Sequence, residues 1–591
     1  MKNLLKHIRK QDFVFLLCGL LFMLLQSWFD LLFPDYLQNI TEILQANSVG
    51  NSGVFNKLFT ECLKILGCAV MSFVFGISAI LANAKFSANF SGTLRQKVFS
   101  KVLDFSLYET TKFSISSLIN RCTVDITQIQ IFTAGISVTI MRSLFTGTIA
   151  FFKISGQNFI WTALTAGTIA AVMIFTAILM YFVTPVTSEL STMTDKLNNI
   201  NSEHLTGLRV IHAYNSYEYH QKRFDGVNKA ITEKNIYVNS KMALMYPVVS
   251  FALNFISLLI YFAGAFMISM TALPQEKALV FSNSVSASFL GVQALVCLAF
   301  FIVLFIQLPK MIVSSRRVSE VLETPVKIQD GSGAEVNDKD KGCIEFKNVS
   351  FRYPGSKENA LNNINFKILP GQTAAFVGTT GSGKTSIMNL IPRLNDADEG
   401  EIFIDGVNIK DFKLNDLRSR IAYVPQTNLL FTGTIAENIG YGEKLNASEK
   451  FFDVLTHIKK AAEIGQAHSF IEQKEGGYYS RVERGGRNFS GGQRQRLTIS
   501  RAVFRDPEIY LFDDSFSALD FKTDKILRKK LKEAVGNSTI MIVAQRIGTI
   551  MDADVIAVMD KGRIAAFGKH EDLMKTCKIY RDFAESQMEQ A

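Results

Sequence analysis

The sequence contains no C-x-x-C pair. Its seven cysteines (Cys18, Cys62, Cys68, Cys122, Cys297, Cys343 and Cys577) are scattered with no metal-ligand spacing. That excludes a zinc-ribbon or disulfide framework and leaves free thiols of a reducing compartment or a bilayer. A basic arm is missing too. The net charge is +10, but the basic residues are spread along the chain, so no nucleic-acid partner is expected. Lys2, Lys6, Arg9 and Lys10 precede the apolar run Phe13–Phe33. That run has no small-residue cleavage site and exceeds a signal-peptide core, so it reads as a retained membrane span.

What the chain has in quantity is apolar residues, 48% of 591, with 48 Phe. Length alone implies several domains. Further runs long enough to cross a bilayer are Cys62–Ala82, Ile131–Phe152, Phe159–Val183, Met242–Ala272 and Leu279–Leu308. Two connections are very short (Lys153–Asn158 and Leu273–Ala278), Gln45–Asn56 is polar, and two, 84–130 and 185–241, are long, basic and helical in pattern. The positive-inside bias places the N-terminus and both long connections in the cytoplasm. Asp30 and Asp35, around Pro34, and Arg142 fall within or beside spans. They are candidates for substrate contact or for pairing inside the bundle.

After Thr324-Pro325 the pattern changes. The reading is a membrane domain over 1–325, a charged, turn-rich linker over 326–342 and an α/β domain over 343–591. Strands are expected at Ile344–Tyr353, Thr373–Val377, Glu401–Ile404, Ile421–Val424, Ile509–Phe512 and Ile540–Val543, with a late hairpin turning at Asp560–Gly562. Gly378-Thr379-Thr380-Gly381-Ser382-Gly383-Lys384-Thr385-Ser386 fits G-x-x-x-x-G-K-[ST] and follows an apolar strand. Glycines let backbone N–H groups close around phosphates, Lys384 reaches them, and the Thr385 hydroxyl suits Mg²⁺. Ile509–Phe512 is an apolar strand leading into Asp513, the acid that completes the Mg²⁺ shell.

Between these lies Phe489-Ser490-Gly491-Gly492-Gln493. Residues 343–591 thereby resemble the nucleotide-binding domain of ATP-binding cassette (ABC) transporters, and the six spans extend the resemblance to an exporter-type half-transporter. The resemblance implies a P-loop NTPase domain of ABC type behind an all-α polytopic membrane domain, with ATP and Mg²⁺ as ligands. It implies that Tyr353 stacks on adenine and that Gln426 is the Q-loop glutamine touching Mg²⁺. Phe489–Gln493 would meet the partner's ATP, and Ser517-Ala518-Leu519-Asp520 would be the D-loop. Short coupling helices are expected near Phe105–Phe113 and Asn215–Phe224.

Two positions depart from the pattern. After Asp513 the family has Glu as catalytic base; here Asp514 stands. The family's switch histidine is replaced by Gln545. Aspartate is a methylene shorter, and misplacement by about an ångström can cost about a hundredfold in rate. The expectation is a heterodimer in which this chain provides a degenerate ATP site, while a different half-transporter supplies the catalytic Glu and His. The cargo would be an amphipathic drug, lipid or peptide. The alternatives are a slow homodimeric exporter or lipid flippase, or a nucleotide-gated channel or regulatory subunit. The layout points to a bacterial cytoplasmic membrane with the cassette inside, an organellar membrane being the other option.

Overall fold

The computed structural model describes residues 4, 6–46, 52–333, 341–442 and 450–588. These fall into two compact units: Met1–Leu103 with Ile115–Thr324, and Asp104–Ser114 with Pro325–Ala591. The middle of the linker expected from sequence (334–340) and part of the polar connection (47–51) lie outside the described residues.

The first unit is helical. Among the described residues six helices are long and apolar enough to cross a membrane: Lys10–Gln45, Val54–Leu103, Ile115–Gln157, Phe159–Ala213, Tyr217–Met270 and Pro274–Phe300. Each of the six apolar runs falls largely within one helix, and most helices overrun them. Polar residues continue the helix because few Gly or Pro interrupt it. The third is irregular, with π-helical turns at Arg121–Asp125 and Phe132–Ile136. One expectation fails here. Asn215–Phe224 forms no separate short helix; a turn with Asn215 at φ 47° leads directly into the helix Tyr217–Ala243. That stretch holds a single glycine and no proline, so nothing ends the helix early.

Asp30, Asp35 and Arg142 are each paired inside the bundle. Arg142 donates to Asp30 at 2.8 Å, and the Ser72 hydroxyl donates to the same carboxylate at 2.5 Å. Lys153 donates to Asp35 at 2.6 Å. Between these two helices the Thr146 hydroxyl meets that of Ser27 at 2.9 Å, both buried.

Among its described residues the second unit contains twelve strands: β1 (Ile344–Phe351), β2 (Leu361–Ile368), β3 (Thr373–Gly378), β4 (Glu399–Ile404), β5 (Val407–Asn408), β6 (Ile421–Val424), β7 (Gly433–Thr434), β8 (Arg481–Val482), β9 (Ile509–Asp513), β10 (Thr539–Val543), β11 (Val555–Asp560) and β12 (Arg563–Gly568). An antiparallel sheet has the order β2-β1-β4-β5, and the main sheet runs β12-β11-β3-β10-β9-β6. In the main sheet all pairings except β11 with β12 are parallel. Every residue of β9 and β10 is buried, which is why they read as unbroken apolar runs rather than alternating ones.

The segment between the second and third spans belongs to this unit. Ser106 caps the short helix Leu107–Lys112 through a capping box with Glu109. Glu109, 1% exposed, also accepts the Lys327 N–H at 3.0 Å. Burial raises its carboxyl pKa, but hydrogen bonds from Ser106 and Lys327 outweigh it and hold the pKa below the ordinary value. The first residues of the sequence-read linker are likewise fixed. Gly331 and Gly333 donate backbone N–H groups to the carbonyls of Phe412 and Asp411, each at 3.0 Å.

At the entrance to β1, Asp405 accepts the N–H groups of Gly342 and Cys343 at 2.7 and 2.8 Å. Burial pushes its pKa up to about 6, with those N–H groups opposing the shift. The folded state therefore retains a proton that the unfolded chain releases near pH 4, so stability falls as pH rises from about 4 to about 6. The loss is on the order of 3 kcal/mol for a two-unit shift. Asp405→Asn keeps an acceptor for both N–H groups, and should flatten that part of the thermal-unfolding profile against pH.

Candidate functional site

The main sheet sets the geometry. With β10 lying between β3 and β9, the loops leaving the C-terminal ends of these parallel strands converge, as ligand sites in open α/β sheets do. The loop after β3 is Gly378–Gly383, the loop after β9 starts at Asp514, and the loop after β10 carries Gln545. Gly378 can only be glycine. A Cβ there would lie 2.2 Å from the Met559 carbonyl oxygen, at a φ of 153°. Gly381 and Gly383 turn the loop at positive φ, and Lys384 opens the following helix.

Lys384 curls back across the loop. Its Nζ donates to the carbonyls of Gly378 (2.9 Å) and Thr379 (2.7 Å) and to the Ser382 hydroxyl (3.2 Å). Burial lowers its pKa, and Asp513 and Asp514 partly restore it. A cation held by loop carbonyls can be drawn off by a bound phosphate. The Thr385 hydroxyl lies 3.1 Å from Asp513 Oδ1. Adjacent corners of an octahedron with Mg–O bonds of 2.0–2.1 Å are about 3 Å apart, so this hydroxyl and carboxylate fit Mg²⁺. Asp513 is 1% exposed, and burial raises its pKa. Tyr423, absent from the sequence reading, bridges Asp513 (3.4 Å) and Asn389 (3.1 Å) through its hydroxyl. Thr380 is exposed at the loop tip.

Tyr353 stands beside the loop, its hydroxyl 3.0 Å from Ser386 Oγ and its ring edge-on to Phe351. It is 39% exposed, leaving ring surface for stacking.

The two departures from the family pattern touch each other. Gln545 Nε2 donates to Asp514 Oδ2 at 3.2 Å. Asp514 sits at φ 51°, and its N–H donates to the Val543 carbonyl. Burial raises its pKa against hydrogen bonds from Gln426 and Ser517. Asp514, Gln545 and Gln426 thus form one cluster.

Ser490 caps the helix Gly491–Phe504, with Gln493 N–H donating to Ser490 Oγ and Ser490 N–H to Gln493 Oε1. Phe489 is buried, with Lys474 over its ring. A Cβ at Gly492 would come within 3.1 Å of the Ala518 carbonyl oxygen, so the helix start and the 517–520 loop need a small residue between them. Ser517 Oγ donates to the Asp514 carbonyl at 2.9 Å, Leu519 is buried, and Asp520 caps the helix Phe521–Ala534. Two residues that the sequence reading missed tie this region together. Buried Gln495 donates to the Asp514 carbonyl (3.3 Å) and accepts the Ala518 N–H (3.2 Å). Arg546 donates to the carbonyls of Ser517 and Leu519. Their only sequence signal is adjacency to Gln493 and Gln545.

Profiles of known families match both units. The profile described as ABC transporter covers residues 361–517, and the one described as ABC transporter transmembrane region covers 16–292. The chain is 34% identical over 532 residues to the uncharacterised ABC transporter ATP-binding protein YfiB of Bacillus subtilis, covering 88% of each. It is 30% identical over 519 residues to an ATP-dependent lipid A-core flippase of Pseudomonas fluorescens, covering 84% of this chain and 81% of that one. A solved bacterial Atm1-family ABC exporter with ATP bound shares the fold, with a TM-score of 0.80 and 21% identity over 97% of this chain and 98% of the other. The chain is an integral, multi-pass membrane protein. Its fold is the exporter type, six membrane helices followed by a nucleotide-binding domain. With sequence profile, relatives and fold in agreement, the chain belongs to the ABC transporter family.

Proposed function

We propose that this chain is one half of an ATP-driven exporter of an amphipathic molecule, and that it contributes the weaker of two ATP sites. Gly378–Ser386, Tyr353 and Gln426 would hold ATP. Thr385, Asp513 and Gln426 would hold Mg²⁺, which would supply electrostatic stabilisation of phosphate charge. Phe489–Gln493 and Ser517–Asp520 would face the nucleotide held by a second half-transporter. Kinship with a lipid A-core flippase supports an amphipathic cargo.

The observation that carries the reading is the Asp514–Gln545 contact. A catalytic base must reach the attacking water. Here the shorter carboxylate is held by an amide that, unlike imidazole, cannot accept a proton. Ser490 and the 517–520 loop, by contrast, are well formed. A half-site with weak base chemistry and an intact signature makes sense beside a partner supplying Glu and His.

The test is ATP hydrolysis by the purified chain alone in lipid, after ATP binding is demonstrated. Turnover near background supports the proposal. Robust turnover that Lys384→Ala abolishes would show Asp514 to be a sufficient base and would make the homodimer the working description.

A further inference from the structure

The charged residues of the bundle are not all accounted for by packing. Along the helix Lys10–Ala46 the acids Asp30 and Asp35 are five residues apart. Along the helix Ser137–Gln157 the bases Arg142 and Lys153 are eleven apart, a little over three turns, so the two bases share one face. Each base pairs with one acid. Acids on one helix thus confront bases on its neighbour, and the local charge sums to zero.

The pairs are also open. The side chains of Arg142 and Asp30 are 41% and 21% exposed, and those of Lys153 and Asp35 are 30% and 44% exposed. An open ion pair cannot face hydrocarbon cheaply, since a charged residue at a membrane helix centre costs roughly 2.5–3.5 kcal/mol even on insertion scales. This face therefore borders water or the other half of the transporter. Pairs needed for packing alone would be closed off, and an apolar replacement would often serve packing as well. Arg142 reaches Asp30 through Nη2. A guanidinium carries five N–H donors, so a second acceptor can be taken without breaking the pair. Phe29 and Phe33 flank Asp30 in sequence and pack against Phe75 and Phe289, placing apolar surface beside the charges.

From this arrangement we infer that Asp30, Arg142, Asp35 and Lys153 form a binding site for the headgroup of a zwitterionic amphiphile. A ligand with one charge that displaced a pair would leave the opposite member uncompensated. A ligand with both charges exchanges pair for pair: at either ion pair its anionic group goes to the base, Arg142 or Lys153, and its cationic group to the facing acid, Asp30 or Asp35. Its chain lies along the neighbouring aromatic and aliphatic side chains. This assignment rests on the transporter reading above and names the class of its cargo.

The experiment uses the full chain in nanodiscs of phosphatidylglycerol, with three labelled probes of equal acyl length: lysophosphatidylcholine, lysophosphatidylglycerol and an alkyltrimethylammonium. Saturable binding of the zwitterion at least about tenfold tighter than of either singly charged probe is expected. Asp30→Asn or Arg142→Gln, each stranding a partner, should weaken it by a similar factor. The exchanged variant Asp30→Arg/Arg142→Asp should recover most of the affinity. ATP binding by each variant reports that the chain is folded. Equal binding of all three probes, preference for a singly charged one, or indifference to the substitutions in folded protein would overturn the assignment. The two readings fail separately. If the zwitterion binds through these residues but is not moved across vesicles on addition of ATP by a complex with a partner that carries the catalytic Glu and His, the transport reading falls and the site stands. If ATP drives another cargo undiminished in the paired-charge variants, the site falls and transport stands.

Discussion

Converting Asp514 to Glu together with Gln545 to His should raise ATP turnover of the chain, purified in lipid, by about a hundredfold. The glutamate extends the carboxylate by one methylene toward the attacking water. The histidine replaces an amide that now donates to Asp514 Oδ2 with a ring able to orient the base and contact the γ-phosphate. Because Ser490 and Gln493 form a complete capping box, the doubly changed chain carries both halves of a competent site and can pair with itself. Asp514→Glu alone should give less, since Gln545 would still hold the new carboxylate, and residues acting as a unit are not additive. If the double variant turns over no faster while still binding ATP, the weak-site reading fails.

The second large effect is an asymmetry. In a complex with a partner that carries the catalytic Glu and His, Ser490→Arg in this chain should lower turnover on the order of a hundredfold, as loss of a transition-state contact does. The arginine removes the helix cap and fills the space at the start of Gly491–Phe504. Lys384→Ala in the same complex should cost less than about tenfold, because in the proposed arrangement this chain's own loop would contribute little to the total. The comparison is of ATPase rates of the two variant complexes at matched ATP. Equal losses would mean that both sites carry the chemistry.

Much of this was legible in the sequence because its signals were chemical or long. The glycine loop, the strand leading into Asp513 and the six apolar runs survive any ambiguity of boundary. β2 was not recognised, although its inward residues Leu361, Ile364, Phe366 and Ile368 are all buried. Four asparagines within and just before Leu361–Ile368 mimic a turn. The π-helical turns in the third span leave no mark in composition. Pairing of Asp30 with Arg142 could be anticipated as a class of contact, but the choice of Lys153 for Asp35 required the helix register. Gln495 and Arg546 carry no motif. Their value comes from what the fold brings opposite them, namely the carbonyls and N–H groups of residues 514–519. The continuous helix from Tyr217 shows the opposite failure, where a family expectation outweighed a local pattern with nothing to stop the helix.

The helix Leu107–Lys112 has a practical consequence. Since Asp104–Ser114 folds with Pro325–Ala591, the second unit is assembled from two stretches of chain more than two hundred residues apart in sequence. An ATPase domain excised at residue 325 would lack Glu109, and the Lys327 N–H would lose its acceptor. Such a fragment should be supplied with a peptide spanning residues 104–114.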